Sequence, residues 1–305
     1  MTTAPRITRS PAGRTTGRPV PRDVLTACRP RQWVKNLLVF TAPAAAGVLT
    51  QPAVLGRTAV TFAAFCLAAS AGYLFNDTRD AAADRLHPAK EHRPIASGRV
   101  PPRAAYALAA LLAGTALAVT AALGSLWLLA LLVGYLLLTA AYTLVLRRVA
   151  VVDLAVVAGC HVVRAVAGAA AAAVAPSTWY LLVVSLGSLL LVAGRREAEL
   201  HVAGATGTRP TLTVYTVGYL ASVRSITSSA MIVTYCLWAL APGDFPGLTP
   251  RSASIVPFIL VVLRLNLLIE RGRGEQPEHL LLHDRQLQVM LGVLALVLAA
   301  AVHGP

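Results

Sequence analysis

Long apolar runs separated by short polar connections dominate this chain. From about residue 33 onward, runs of alanine, leucine and valine repeatedly exceed about 18 residues, the length at which a helix can cross a bilayer. Backbone polar groups in lipid must be satisfied within the segment, so continuous runs favour helices over the alternating strands of a β-barrel. The pattern predicts nine membrane-spanning helices, at residues 33–50, 54–75, 103–122, 124–146, 150–174, 178–197, 213–241, 252–271 and 286–303.

Composition agrees with an all-α, polytopic membrane protein. Hydrophobic residues make up 56% of the chain and charged residues only 13%, whereas soluble domains carry about a quarter. The four cysteines lie in no CxxC spacing, which argues against a disulfide framework or a zinc site. Residues 1–22 are rich in Arg, Thr and Pro and predict a disordered basic tail rather than a cleaved signal peptide. Residues 23–305 then form a single transmembrane domain.

The net charge is +14, and the distribution of the positive residues along the chain predicts how the protein is oriented in the membrane. Of the 27 Lys and Arg residues, 22 fall in the N-terminal segment and in alternate connections, which the positive-inside rule assigns to the cytoplasm. We therefore expect a multi-pass protein of the cell membrane with a cytoplasmic N-terminus and active site and an outside C-terminus. No nucleic-acid partner is expected. The acidic residues lie almost entirely on one side, which disfavours the alternative of a transporter or a lipid-binding membrane protein.

The stretch "NDTRDAAAD", residues 76–84, concentrates carboxylates at the end of the second apolar run. On a helix, Asp77, Asp80 and Asp84 share one face, and Asn76 neighbours Asp80. Like charges at this spacing repel, and a divalent cation would remove the penalty. Oxygen ligands without Cys or His suit Mg²⁺, with Mn²⁺ as the alternative ion. We predict that these four residues bind the metal and that the three carboxylates are catalytic.

Basic residues follow the carboxylates in "KEHRPIASGRV". Lys90 and Arg93 are the kind of donor that a diphosphate leaving group needs beside a metal site. The alternative interpretation is a solvated loop in which Arg79 and Arg85 neutralise the aspartates.

Together, the motif of residues 76–84 and the stretch "RPIASG" resemble the UbiA superfamily of intramembrane prenyltransferases, over about residues 22–303. The resemblance implies a nine-helix bundle with a cytoplasmic-side active-site cavity. The superfamily's second D-x-x-x-D motif is absent, and "GRREAELHVAG" stands in its place. That loop resembles the decaprenyl-phosphate phosphoribosyltransferase branch, as do "CRPRQWVKNLLVF", "YTLVLRRVAVVDL" and "DRQLQ".

The branch implies a Mg²⁺-dependent transfer of 5-phosphoribosyl from phosphoribosyl diphosphate to a polyprenyl phosphate in the lipid bilayer, within cell-wall biosynthesis. Transfer of a prenyl group from prenyl diphosphate to an aromatic or lipid acceptor is the alternative enzyme. Glu197 stands where the branch has tyrosine, and Cys160-His161 where it has glycine-phenylalanine, so the exact donor and acceptor stay open. Alanine runs permit helix packing, and homo-oligomerisation is left open too.

The resemblance also implies roles for individual side chains. Glu199 would be catalytic, binding ribose hydroxyls or serving a second metal position, and Arg195 and Arg196 would grip phosphate. The expected substrate-binding set is Lys35, Asn36, Asn76, Lys90, Arg93, Tyr142, Arg147, Asp153, Arg195 and Arg196.

Simpler interpretations exist for three of the buried or boundary residues. Lys35 would be a snorkelling anchor at the membrane boundary. Asp153, expensive in lipid if unpaired, would pair with Arg147 or Arg148 rather than hold ribose hydroxyls. Arg164 is expected to be a buried structural partner of another polar group.

Overall fold

The computed structural model describes residues 20–88, 90–203, 210–241, 249–275, 280 and 282–303, and within these ranges the chain is helical without a β-strand. Most of the expected basic tail lies outside the described residues, and the first helix begins at Pro21. The α-helices are α1 (Pro21–Cys28), α2 (Thr41–Ala45), α3 (Pro52–Arg85), α4 (Pro102–Ala122), α5 (Leu126–Leu144), α6 (Val152–Ala171), α7 (Thr178–Ala203), α8 (Val217–Ala239), α9 (Pro250–Ala253), α10 (Ile255–Glu270) and α11 (Arg285–His303).

Eight helices in the described part of the chain are long and apolar enough to cross a membrane. They match the second to ninth predicted spans within a few residues, except that α3 continues to Arg85. The aspartate motif is therefore helical, as its spacing predicts. Helix α3 has 34 residues and is about 51 Å long, so it extends well beyond a hydrocarbon core of about 30 Å.

The first predicted span is not a regular α-helix, so the expectation of nine such helices is not confirmed. Residues Pro30–Phe40 form a 3₁₀ helix that continues into the short helix α2. The backbone of this segment lies very close to α6, because a Cβ added at Gly168 would lie only 1.8 Å from the carbonyl oxygen of Val39. The close backbone contact, which apolar periodicity does not reveal, accompanies the unusually long 3₁₀ run.

Five apolar clusters hold the described part of the bundle together, and two of them illustrate how the helices pack. Helices α3, α5 and α6 surround Phe65, Leu128 and Leu132, and helices α7, α8 and α10 surround Leu190 and Phe258. Short connections join consecutive helices, so the C-termini of α3, α5 and α7 lie at the same end as the N-termini of α4 and α6. The charged motifs found in the sequence meet at this end.

Candidate active site

The carboxylates of the aspartate motif project from the last turns of α3. Asp77 and Asp84 are each only 4% exposed, and Asp80 is half-buried. A buried carboxylate needs charged or hydrogen-bonded partners, because desolvation otherwise disfavours its ionised form. Each of the three has an arginine partner from elsewhere in the chain.

Asp77 and Asp84 share a guanidinium group. Nη1 of Arg93 donates to Asp77 at 3.2 Å and to Asp84 at 2.7 Å. Nη2 of Arg29 also donates to both carboxylate oxygens of Asp77, at 2.6 and 2.7 Å. Arg29 lies between α1 and the 3₁₀ helix with a positive φ of 54° and stacks over Tyr73. Arg29 belongs to the stretch "CRPRQWVKNLLVF" that carries the resemblance, but it is not among the site residues predicted from the sequence.

Asp80 pairs with Arg147 from the connection between α5 and α6. The two guanidinium nitrogens of Arg147 donate to the two oxygens of Asp80 at 2.6 and 2.7 Å. The same arginine lies 3.5 Å from Oδ1 of Asn76. The hydrogen bonds that Arg147 donates to Asp80 raise the pKa of Arg147 above its ordinary value. The structure thus brings Asn76, Asp80 and Arg147 together, as the substrate-binding expectation requires.

The expectation that Arg79 and Arg85 neutralise the aspartates is wrong. Arg79 is exposed, and Nε of Arg85 donates to the carbonyl of Ala96 at 2.8 Å. Neighbours in sequence point away because positions 79 and 85 lie on other faces of α3 than the carboxylates. Lys90, half-buried, lies near enough to Asp80 for its charge to act on that carboxylate.

The donor set at the end of α3 fits a hard divalent cation only in part. Asp77 and Asp84 contact one nitrogen atom, so their oxygens are close neighbours. Within the described ranges, no group of three or more His, Cys, Asp or Glu side chains could hold a metal ion together. The assignment of Asn76, Asp77, Asp80 and Asp84 as metal-binding residues stays a prediction. Two carboxylates suffice for Mg²⁺ when substrate phosphate and water complete its shell.

A second cluster surrounds Arg196 at the end of α7. Its guanidinium group is 2% exposed and donates to Asp153 at 3.1 Å, to Glu199 at 3.0 Å and to the hydroxyl of Tyr142 at 3.1 Å. Nε of Arg195, on a more exposed side chain, donates to Glu199 at 3.1 Å. The structure therefore brings together Tyr142, Asp153, Arg195, Arg196 and Glu199. Arg196 is buried among protein partners, and Arg195, with 34% of its side chain exposed, is the more accessible arginine.

Asp153 is fully buried, and the pairing with Arg147 or Arg148 is wrong. Besides Arg196, its oxygens accept hydrogen bonds from Thr211 at 3.3 Å and from Tyr215 at 2.5 Å. Arg147, in the connection between α5 and α6, pairs with Asp80 of α3 instead. No motif around Thr211 or Tyr215 identifies these residues as partners of Asp153.

Glu197, one of the departures from the expected pattern, pairs with Arg224 of α8. Nε of Arg224 donates to Glu197 at 3.0 Å, and its Nη1 donates to the side chain of Asn266 at 2.9 Å. Glu270 of α10 is a further ion-pair partner of Arg224. Glu197 therefore ties α7 to α8 and α10 and does not face the aspartate motif.

The two residues predicted to contact phosphate from the 3₁₀ helix, Lys35 and Asn36, have hydrogen-bond partners outside the aspartate motif. Asn36 is fully buried, accepts a hydrogen bond from Nε of Arg164 at 2.7 Å and donates to the thiol of Cys66. Arg164 also donates to the hydroxyl of Tyr135 at 2.8 Å, which confirms its expected structural role. Lys35 donates to the side chain of Gln32 at 2.5 Å.

These features define a polytopic helical membrane protein with a site of paired arginines and carboxylates at one end of its bundle. Residues 37–283 match the UbiA prenyltransferase family, and the chain belongs to that family. It is 41% identical to decaprenyl-phosphate phosphoribosyltransferase of Mycobacterium tuberculosis (strain ATCC 25618 / H37Rv) over 98% of each chain. It is also 41% identical to the protein of that name from Mycolicibacterium smegmatis, over 92% of each chain.

Solved structures support the fold. A UbiA homolog from Archaeoglobus fulgidus bound to GPP and Mg²⁺ superposes with a TM-score of 0.71 at 16% identity, covering 92% of this chain and 99% of that one. At 16% identity, this structural similarity supports the helical fold and nothing further about the protein.

Proposed function

We propose that this protein is an integral membrane transferase that moves 5-phosphoribosyl from phosphoribosyl diphosphate to a polyprenyl phosphate and releases diphosphate. The relatives at 41% identity, over nearly the whole chain, are named for phosphoribosyl transfer to decaprenyl phosphate. The observation that carries the proposal is the pairing of Arg29, Arg93 and Arg147 with the carboxylates of α3. Guanidinium groups beside carboxylates suit a metal-bound diphosphate.

The diphosphate of the donor would bind at the end of α3. Asp77 and Asp84 would hold Mg²⁺, with Asn76 and Asp80 beside them, and Arg93 and Arg147 would turn from the carboxylates to phosphate oxygens. When bound, the ion would neutralise the diphosphate and stabilise the charge that develops as it departs.

The ribose end of the donor would face the loop at the end of α7. Glu199 is 15% exposed and would accept hydrogen bonds from ribose hydroxyls, while Arg195 would bind the 5-phosphate. Arg196, Tyr142 and Asp153 would act by holding Glu199 in place, because Arg196 is nearly inaccessible. In this proposal Lys35 approaches the donor from the 3₁₀ helix, and Asn36 supports that helix from inside.

The acceptor would reach the site through the bilayer. An apolar groove of about 320 Å³ runs between α3, α4 and α5 and begins at Phe75, directly beside Asn76. Small residues line it, including Gly72, Ala110 and Ala113. A polyprenyl chain in this groove would bring its phosphate to the level of Arg147 and Asp80. We infer that the groove holds the isoprenoid chain.

The chemical step needs no strong general base. The acceptor phosphate is already anionic at neutral pH, so its oxygen attacks the anomeric carbon directly. A carbon–oxygen bond to the lipid phosphate forms as the bond to diphosphate breaks, and diphosphate leaves with the electron pair. The protein contributes by positioning both substrates and by placing guanidinium charge on the leaving group.

The proposed topology keeps nine crossings and a cytoplasmic site. The 11-residue 3₁₀ helix would span about 22 Å, and the five-residue α2 adds about 8 Å. Together they match a hydrocarbon core of about 30 Å. With this composite first crossing, the N-terminus and a cavity at the charged end are cytoplasmic and the C-terminus is outside. Residues 1–22 would remain a basic tail on the single domain of residues 23–305.

The test uses full-length protein in detergent with radiolabelled phosphoribosyl diphosphate, polyprenyl phosphate and Mg²⁺. Label is expected in the lipid product, with equimolar diphosphate released. Prenyl diphosphate with an aromatic acceptor serves as the rival substrate pair, since the solved A. fulgidus homolog carries GPP and Mg²⁺. Consumption of prenyl diphosphate without any labelled lipid would overturn the proposal.

A further inference from the structure

The connection that carries Arg147 ends in a strained residue. Val151, just before α6, has φ 68° and ψ −44°. A β-branched residue rarely adopts a positive φ, because its Cβ crowds the backbone. Such a conformation persists only where surrounding contacts impose it, and it recurs at functional sites.

The contact that imposes it comes from Tyr215. The backbone N–H of Val151 donates to the Tyr215 hydroxyl at 2.6 Å. That hydroxyl in turn donates to Oδ1 of Asp153 at 2.5 Å. The ring is 6% exposed and stacks on Tyr219 with centroids 5.7 Å apart. Burial and the Asp153 carboxylate raise the pKa of Tyr215, so the hydroxyl keeps the proton that it donates.

One hydroxyl thereby links the two clusters of the site. On one side it fixes the end of the connection whose Arg147 pairs with Asp80. On the other side it holds Asp153, which binds Arg196 and, through it, Glu199. A second link runs through Tyr142 of α5, whose hydroxyl accepts a hydrogen bond from Arg196. The Tyr215 hydroxyl joins the backbone of Val151 to the carboxylate of Asp153, so it contributes to the relative position of the two clusters.

We propose that Tyr215 is a positioning residue that sets Arg147 and the Arg196–Glu199 pair at the separation required by the two ends of one phosphorylated sugar diphosphate. The inference rests on the proposed function, which supplies that ligand. Tyr215 itself touches neither substrate. Its hydroxyl stabilises the strained backbone at Val151 and orients Asp153 at the same time.

The experiment compares Tyr215→Phe with wild type in steady-state kinetics and in equilibrium binding of phosphoribosyl diphosphate without acceptor. We expect the KM and the Kd for phosphoribosyl diphosphate to rise about ten-fold, because the substitution removes the hydrogen bond from Tyr215 to the Asp153 carboxylate. The KM for polyprenyl phosphate should stay within about two-fold. Tyr219→Phe, on the exposed stacking partner, is the matched control and should resemble wild type.

Val151→Gly in the Tyr215→Phe background provides the decisive second variant. Glycine adopts positive φ without strain, and the Val151 side chain is 54% exposed, so little packing is lost. We expect the glycine to recover most of the lost donor affinity. An unchanged Kd in Tyr215→Phe overturns the inference, as does an equal rise in both KM values without recovery by Val151→Gly. If wild type transfers no phosphoribosyl group, the proposed function fails instead.

Discussion

Arg147 and Asp80 face each other across 67 residues of chain and form a two-pronged ion pair at 2.6 and 2.7 Å. The pair joins the connection after α5 to the last turns of α3. Its geometry matches the planar fork that guanidinium offers to carboxylate or phosphate. The pair therefore holds Arg147 where, under the proposed function, a diphosphate would compete for it.

Arg147→Lys tests this geometry. Lysine keeps the charge but loses the fork, and one hydrogen bond to a charged group contributes about 1.5–3 kcal/mol. We expect the KM for phosphoribosyl diphosphate to rise about 10- to 100-fold. Arg148→Lys, on the exposed neighbour, is the control and should leave the KM unchanged. An unchanged KM in Arg147→Lys would mean that only the charge of this side chain matters, and an equal rise in both variants would mean that the effect is not specific to the pair with Asp80.

Removal of Mg²⁺ should abolish transfer, and its return should restore it. Asp84→Asn keeps the shape of the side chain but weakens a hard-cation ligand. We expect the Mg²⁺ concentration for half-maximal rate to rise about ten-fold or more in this variant. Glu91→Gln is the matched control, because Glu91 is an exposed carboxylate in the connection that follows α3. A lower melting temperature with an unchanged Mg²⁺ requirement would assign Asp84 to pairing with Arg93 alone.

Gly72→Leu fills the groove that we assign to the isoprenoid chain. A Cβ at Gly72 meets only Thr139, at 3.8 Å, so the backbone tolerates the substitution. We expect the KM for a long polyprenyl phosphate to rise about ten-fold, the low end of overpacking costs. The KM for phosphoribosyl diphosphate should not change. Gly134→Leu, which meets nothing within 4 Å on α5, is the control. If both variants behave alike, the groove holds ordinary bilayer lipid.

Gly168→Ala should destabilise the bundle rather than alter substrate affinity. Its Cβ would lie 1.8 Å from the carbonyl oxygen of Val39, so α6 and the 3₁₀ helix must separate. The expected loss is about 1–3 kcal/mol or more, read as a lower melting temperature in detergent. Gly114→Ala, in open space within α4, should be neutral or slightly stabilising. A melting temperature equal to wild type would show that this contact is dispensable.

The spans were predictable because lipid imposes a rule on every residue of a crossing. Apolar length alone located α3 to α8, α10 and α11. It did not predict the backbone of Pro30–Phe40, which is a 3₁₀ helix that packs against Gly168. Hydropathy measures transfer of side chains and carries no information about how closely two backbones approach.

The shared helix face of the aspartates was predictable from the sequence, but the partners of these side chains were not. Helical periodicity put Asp77, Asp80 and Asp84 on one face, and α3 bears this out. Their arginine partners lie 48, 67 and 9 residues away, at Arg29, Arg147 and Arg93. Proximity in sequence suggested Arg79 and Arg85 instead, but these two residues lie on other faces of α3 than the aspartates.

By itself, the sequence determined that the chain is a helical membrane protein and that its charged chemistry lies at one end. Both follow from local rules: the cost of polar groups in lipid, the asymmetry of positive charge and the 3.6-residue period of a helix. Only the tertiary structure decided that Arg196 forms ion pairs with Asp153 and Glu199, and that the Tyr215 hydroxyl bridges Val151 to Asp153. These pairings arise where separate helices pack, and no local pattern records which distant side chain will satisfy a buried charge.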